Sequence, residues 1–553
     1  MIGFTRGTSP AAVSGGRVAE LLSSRTLQVA AIAISFAWIA FAHRQADGLW
    51  FQGDAPRHAA NGFLIWDAIR MHPRDPLAFA LSYYARYPVI MPVAYPPLFY
   101  VFEGLVFAVF GPSPQNAKLL VGAFGVVGGI YTMAFARRWI APAAGWAGAF
   151  LAFLPAIVLW SNTIMLNVPA MALGLAALFH FGRWLDEARP VELLLAAVFA
   201  VAAVLTYYLA LWVVPVCVAW TMLRRKTAPS RRRLFWMSVA VLAALVPLAV
   251  SLLWMPTHTV RQLPTVSLLT RSTTWTYYWA AFPALLGVPV LVVGLFGAAA
   301  GLIAQRRAVV ALRVVTWIVL VVVMFSILPA KDPRYILVIA PAFVLAAALG
   351  LSTLVDRIRW IDPRWLAAPL AVGFVGGAWY AAQVRVPQIS GFRDAAVYLA
   401  REGPTDAVLY DGAHEGVFGF FMRALDPAFQ RRMVRSDKLL FQYGPGTTFE
   451  WVRSSTVTST DDVMRALRTQ AGCRWVAIEV GPNPPSTPER RLLREVVRRP
   501  DFSLVRSFPI AGAGERRIDL YRLSGDVPTV TAVDLSFPSY STRTFSGVAP
   551  IVR

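Results

Sequence analysis

Charge is what this sequence has least of. Only 15% of its 553 residues are Asp, Glu, Lys or Arg, against 57% hydrophobic, where a soluble domain carries about a quarter charged residues. That shortage excludes an ordinary soluble enzyme and makes the chain an integral membrane protein. Cysteine is nearly absent. Cys217 lies in an apolar run and Cys473 in the polar C-terminal part, so neither a disulfide framework nor a metal-binding cysteine spacing is expected. No small-x-small cleavage site follows the first apolar run, and no cleavable signal peptide is read. Acids are scarcer than bases, leaving a net charge of +22. The basic residues sit in short turns between apolar runs, as topology signals do. No aromatic–basic groove pattern accompanies them, so nucleic acid is not an expected partner.

What is present is a succession of apolar runs. Residues 1–25 form a polar, Gly/Ser-rich leader, expected to be disordered and cytoplasmic. A membrane region over 26–385 follows, with outer loops at 44–115 and 255–280. Its first span runs from about Leu27 to His43; further spans are expected near 116–136, 143–161, 168–185, 191–206, 208–223, 234–254, 281–304, 312–329, 336–354 and 365–382, about eleven in all. The run from Tyr95 to Gly111 is read as a juxtamembrane helix, because counting it as a span puts every later basic turn on the wrong side. The N-terminus is then cytoplasmic, in what the composition suggests is a bacterial inner (plasma) membrane. Long loops and aromatic belts gather on the other side.

From 386 to 553 the chain changes character. Ala407–Gly412, Arg474–Val480 and Arg516–Leu523 read as strands, while FRDAAVYLAREG and DDVMRALRTQAG read as amphipathic helices ending at glycines. Alternation of this kind predicts a soluble, extracytoplasmic α/β domain. It has no G-x-G-x-x-G, no P-loop and no metal cluster, so it declares no chemistry of its own. The expected fold class is thus a multi-pass α-helical membrane protein, with a juxtamembrane helix and a C-terminal soluble α/β domain.

Chemistry is sought first in WFQGDAPRHAANGFLIWDAIR, Trp50 to Arg70, just after the first span. Asp54 and Arg57 stand three apart there, on one face if the segment is helical. An acid beside a membrane span, with a base and aromatics around it, is a functional-site candidate; the structural alternative is a solvated loop ion pair. The arrangement suits an enzyme acting on a lipid-borne substrate at the outer interface.

Four segments in order carry a family likeness over roughly residues 27–355: GDAPRHA, YPPLFYVFEGLVFAVFG, NVPAMALGLAALF and KDPRYILVIAP. The chain resembles the membrane-embedded C-type glycosyltransferases, in the branch of protein O-mannosyltransferases and lipid A aminoarabinose transferases. The resemblance implies a polyprenyl-phosphate sugar donor, a lipid, glycan or protein acceptor, and contact with membrane lipid. It makes Asp54 the catalytic carboxylate, with Arg57 as its partner. A carboxylate can serve as general base toward the acceptor, and cations stabilise the departing phosphate. Arg57, Arg334 and Lys331 are the donor-phosphate candidates; for Arg334 the structural alternative is a snorkelling pair with Asp332.

The remaining pocket candidates are His58, Tyr83, Tyr84, Arg86, Tyr95, Glu103 and Asn167. Glu103 would orient Arg57 or Arg86, or simply face water. Asn167 would bind a sugar or cap the following helix. The sequence departs from the family at Ala55 and Asn167, where acids are usual, and at Tyr207, where a lysine is usual. No cofactor is implied with certainty, and a divalent metal is left open. Two other classes compete: a non-catalytic membrane scaffold, which would tolerate a neutral residue at 54, and a lipid or solute transporter, which calls for internal repeats or charged mid-membrane positions.

Overall fold

A computed structural model describes residues 20–45, 47–49, 54–90, 95–223, 239, 245–246, 271–357, 364–444, 452–482, 487–512, 514–536 and 544–548. The leader up to residue 19, nearly all of the span expected at 234–254 and the loop up to 270 lie outside the described residues.

Among the described residues, five helices are long and apolar enough to cross a membrane: Arg25–Ala42, Pro114–Trp139, Asn167–Glu187, Ala308–Ile327 and Pro333–Arg357. Two bent pairs raise the number to seven if each counts as one span. The span expected at 281–304 belongs to one of them. Thr273–Leu286 and Val288–Ile303 meet at 114°, because Gly287 takes a positive φ of 75° and Pro289 starts the second helix. The other pair, Pro142–Leu151 and Pro155–Ser161, bends by 57° where Pro155 begins a new helix. Pro190–Thr206 and Tyr208–Met222 are shorter apolar helices at positions where spans are expected.

The chain forms two compact units. The first comprises Met1–Arg44, Val121–Ala249 and Gln262–Val386 and holds most of the apolar helices. In it the glycine at 297 packs backbone to backbone on the helix that carries Gly350. A Cβ at Gly297 would lie 2.0 Å from the Ala346 carbonyl oxygen, the close approach that small residues allow between apolar helices. Several charged groups inside this unit are paired. His180 Nδ1 lies 2.7 Å from Glu192, Arg183 also meets Glu192 at 2.8 Å, and Arg313 donates to Asp186 at 2.7 Å.

The second unit joins Gln45–Leu120 to Val250–Arg261 and Pro387–Arg553. Its first part supplies three helices: α1, Asp54–Met71; α2, Pro76–Arg86; and α3, Leu98–Phe110. Asp75 caps α2 by accepting from the Leu77 and Ala78 amides at 2.9 and 3.0 Å. At 13 residues, α3 reaches only about 20 Å and is too short to cross a bilayer core. Its later part contains helix α4, Phe392–Glu402, and helix α5, Glu415–Ala424, around a five-stranded sheet. The strands are β1, Ala407–Asp411; β2, Arg432–Arg435; β3, Cys473–Val480; β4, Phe502–Ile510; and β5, Arg516–Leu523. Their order is β2-β1-β3-β5-β4. β1 runs parallel to β2 and β3, and the other two pairings are antiparallel. β1, β3, β5 and α4 form at segments that the sequence reading marks, whereas β2, β4 and α5 form at segments it does not. Buried Leu409, Val476, Ile478, Leu493 and Leu467 make a core on one face of the sheet.

Candidate active site

Asp54 is the first residue of α1. A carboxylate in the first turn sits where unpaired helix amides favour negative charge. Asp54 is half-buried, and the i, i+3, i+4 spacing puts Arg57 and His58 on its side of the helix. His58 is buried, with Nδ1 2.7 Å from the Tyr100 hydroxyl of α3. The Tyr95 ring stands edge-on to the imidazole, 4.7 Å between centroids. Burial pushes the Tyr100 hydroxyl well above its ordinary pKa; a hydrogen bond with Asn61 works against this, and Tyr95, Glu103 and Asp54 add to it. Asp54, His58, Tyr95 and Tyr100 thus form one neighbourhood at the start of α1.

Arg57 has a specific partner. Its Nη2 donates to Glu415 Oε1 of α5 at 2.8 Å, and Arg435 approaches the same oxygen at 3.2 Å. Arg435 also makes a two-pronged contact with Asp437, at 2.8 and 2.9 Å. Burial disfavours the Arg435 charge, but Asp437 and Glu415 outweigh it and hold its pKa above the ordinary value. Tyr84 lies in the field of Arg435, Asp437 and Arg57, with burial raising its own pKa. So Arg57 and Tyr84 come together in one charged cluster, built largely from residues the sequence reading did not single out.

The neighbouring candidates have defined contacts. Tyr83 is buried; its hydroxyl donates to Asp67 Oδ2 at 2.8 Å and accepts from Arg423 at 2.7 Å. Arg86 donates to the backbone carbonyls of Phe429 and Arg431, tying the end of α2 to the later part of its unit. Glu103 neither faces water nor pairs with Arg57 or Arg86 among the described residues. It is fully buried against α1, where a Cβ on Gly62 would fall 2.4 Å from Glu103 Oε2. That glycine makes the room. Burial pushes the Glu103 carboxyl well above the usual range, against a backbone contact with Gly62.

The other unit brings together candidates far apart in sequence. Asn167 is buried and donates through Nδ2 to the Arg334 carbonyl at 3.1 Å. It does not cap its helix: Leu166 occupies that position, without a side-chain cap bond. The Arg334 guanidinium pairs with Asp332 at 3.0 Å and has its centre 5.6 Å from the Tyr335 ring. The snorkelling partner expected for it is therefore in place. Lys331 donates to the Phe325, Ser326 and Leu328 carbonyls, which makes it the cap of the helix Ala308–Ile327. Tyr207, by contrast, follows its helix as an extended residue and packs beside Ala203 and Ala210.

Among the described residues, no group of three or more His, Cys, Asp or Glu side chains could hold a metal ion. The residues missed from sequence are Tyr100, Asp67, Glu415, Arg423 and Arg435. Tyr100 carried a weak signal, as one of the few polar positions on the apolar α3. The last three carried none, since Glu415 is 358 residues from the arginine it meets.

Comparison with known proteins bears on the fold. Residues 271–391 match the sequence model of the Alg9-like mannosyltransferase family. No curated protein matches the chain. Among solved structures, ArnT from Cupriavidus metallidurans bound to undecaprenyl phosphate is similar, at 15% identity and a TM-score of 0.59 over 89% of this chain and 97% of that one. The oligosaccharyltransferase AglB from Archaeoglobus fulgidus, in complex with an inhibitory peptide and a dolichol-phosphate, aligns at 12% identity and a TM-score of 0.54 over 82% of this chain and 69% of that one. The arabinofuranosyltransferase AftD from Mycobacteria aligns at 16% identity and a TM-score of 0.55, over 91% of this chain and 42% of that one. The chain is an integral membrane protein with the fold of the C-type glycosyltransferases. The likeness in fold covers 82–91% of this chain in those alignments.

Proposed function

We propose that this protein transfers a sugar from a polyprenyl-phosphate carrier to a lipid, glycan or protein acceptor at the outer face of the membrane. The observation that carries the reading is Asp54. It opens a helix, half-buried, beside His58, Tyr95 and Tyr100, in a fold shared with enzymes seen bound to undecaprenyl phosphate and to dolichol-phosphate. In the reaction, an acceptor hydroxyl or amine attacks the anomeric carbon. Asp54 takes the proton, a new bond forms to that carbon, and the phosphate leaves with the electrons of the old one. General-base catalysis of this kind contributes about 10²–10⁴-fold. Asp54→Asn is therefore expected to cost at least two orders of magnitude in transfer rate while the protein still inserts and folds. Transfer at the wild-type rate would remove the base.

Arg334 is the cation we assign to the donor phosphate. Its pairing with Asp332 fixes the guanidinium near the end of an apolar helix, and a planar guanidinium suits a phosphate. Arg334→Gln is expected to raise the donor KM at least tenfold, taking the loss of one charge-assisted contact as about 1.5–3 kcal/mol. An unchanged donor KM would return Arg334 to the snorkelling role. Lys331, occupied by three carbonyls, serves that region as a helix cap. The positive-inside rule puts the N-terminus in the cytoplasm and the C-terminal part outside.

A further inference from the structure

Two helices of the second unit are matched along their length. At one end Arg57 of α1 meets Glu415 of α5 at 2.8 Å, and a Cβ on Gly416 would lie 3.0 Å from the Pro56 ring. Midway, the Phe63 and Phe420 rings stand 5.2 Å apart. At the other end Asp67 meets Arg423 at 2.5 Å. The order 57, 63, 67 against 415, 420, 423 means that the helices run parallel. The charges are reciprocal: base to acid at the first contact, acid to base at the last.

The far end is the rigid one. Asp67 and Arg423 are 0% and 2% exposed, and the guanidinium has its centre 4.2 Å from the Phe429 ring and 5.3 Å from that of Phe63. The near end is part-exposed and adjustable, with Arg57 at 21% and Glu415 at 18%. One end fixes the pair of helices. The other sets the first turn of α1, where Asp54 stands three residues from Arg57.

We propose that α5 positions Asp54: Glu415 and Gly416 hold the first turn of its helix through Arg57 and Pro56, and the Asp67–Arg423 pair anchors the other end. This rests on the reading of Asp54 as general base. Glu415 is a positioning residue, not a catalytic one. Without it, Arg57 loses the carboxylate it shares with Arg435, which keeps Asp437, and the first turn loses its tie. In Gly416→Ala the same turn is pushed by a few tenths of an ångström instead, with every charge retained.

The test uses full-length protein in lipid nanodiscs, supplied with labelled undecaprenyl-phosphate-linked hexoses and pentoses. Wild type, Glu415→Ala, Glu415→Gln, Gly416→Ala and Asp54→Asn are compared. Misplacing a catalytic group by an ångström can cost about 100-fold, so Glu415→Ala and Gly416→Ala are expected to lower kcat roughly tenfold or more with donor KM unchanged. Glu415→Gln keeps an oxygen toward Arg57 and is expected to retain most of the rate. Amide hydrogen exchange over residues 58–63 should rise in Glu415→Ala while that of β3 and β5 stays at the wild-type level. Wild-type kcat in both Glu415→Ala and Gly416→Ala, beside an inactive Asp54→Asn, would overturn the positioning role and leave the base standing. Should Asp54→Asn prove active, the base assignment falls, and unchanged exchange in Glu415→Ala would overturn the tie as well.

Discussion

Asp54 and Glu103 are two carboxyl groups in opposite circumstances. Asp54 opens a helix, half-buried, where the unpaired amides of the first turn favour negative charge. Glu103 is sealed under the same helix, and burial raises its pKa well above the ordinary 4.5. A folded-state pKa above the unfolded one means that the native protein holds the proton more tightly. Its contribution to stability is present below about pH 4.5 and drains away as pH climbs toward the folded value. Glu103→Gln keeps the shape without the proton. It is expected to raise the unfolding midpoint at pH 8 and to flatten the decline between pH 5 and pH 8, both read by thermal unfolding in detergent at a series of pH values. Equal declines in variant and wild type would show that Glu103 does not drive that slope.

At the scale of elements, the Asp67–Arg423 pair decides how α1 is held. Removing one partner of a buried ion pair costs about 3–5 kcal/mol, because the other is left charged and unpaired. Arg423→Met is expected to lose that much, and also the aromatic cage of Phe63, Tyr83, Tyr87 and Phe429. Adding Asp67→Asn should recover part of the loss, since the orphaned carboxylate is then gone. Denaturant unfolding of the single and double variants checks this; a double variant as unstable as the sum of its singles would argue that the two residues do not couple. Here lies the limit of what sequence could show. The D-x-x-R spacing marked Asp54 and Arg57 because three residues on a helix are neighbours by geometry. Glu415 and Arg423, 358 and 356 residues from their partners, were invisible, since only the folded chain makes them neighbours. The contacts of Tyr83 were hidden for the same reason: nothing in the sequence shows that its hydroxyl donates to the buried Asp67.

For the molecule as a whole, the apolar runs and basic turns were legible because a bilayer constrains composition directly. Strand alternation and glycine-terminated helices similarly marked β1, β3, β5 and α4. What composition could not convey is that Gln45–Leu120 packs with Pro387–Arg553 in one unit. Polarity tells a segment to leave the membrane, not what it packs against afterwards. Bends were equally hidden until backbone geometry appeared at Gly287 and Pro155. At 12–16% identity to the similar structures, it is architecture that persists while side chains change, which is why the assignment of chemistry rests on the surroundings of one residue. The measurement that tests it most directly is sugar transfer by purified wild-type and Asp54→Asn protein in lipid, offered labelled undecaprenyl-phosphate sugars and a membrane extract as acceptor. Wild type should transfer label and the variant, equally folded, should fall by about 10²-fold or more. Equal transfer by both would contradict the account of Asp54 as the base.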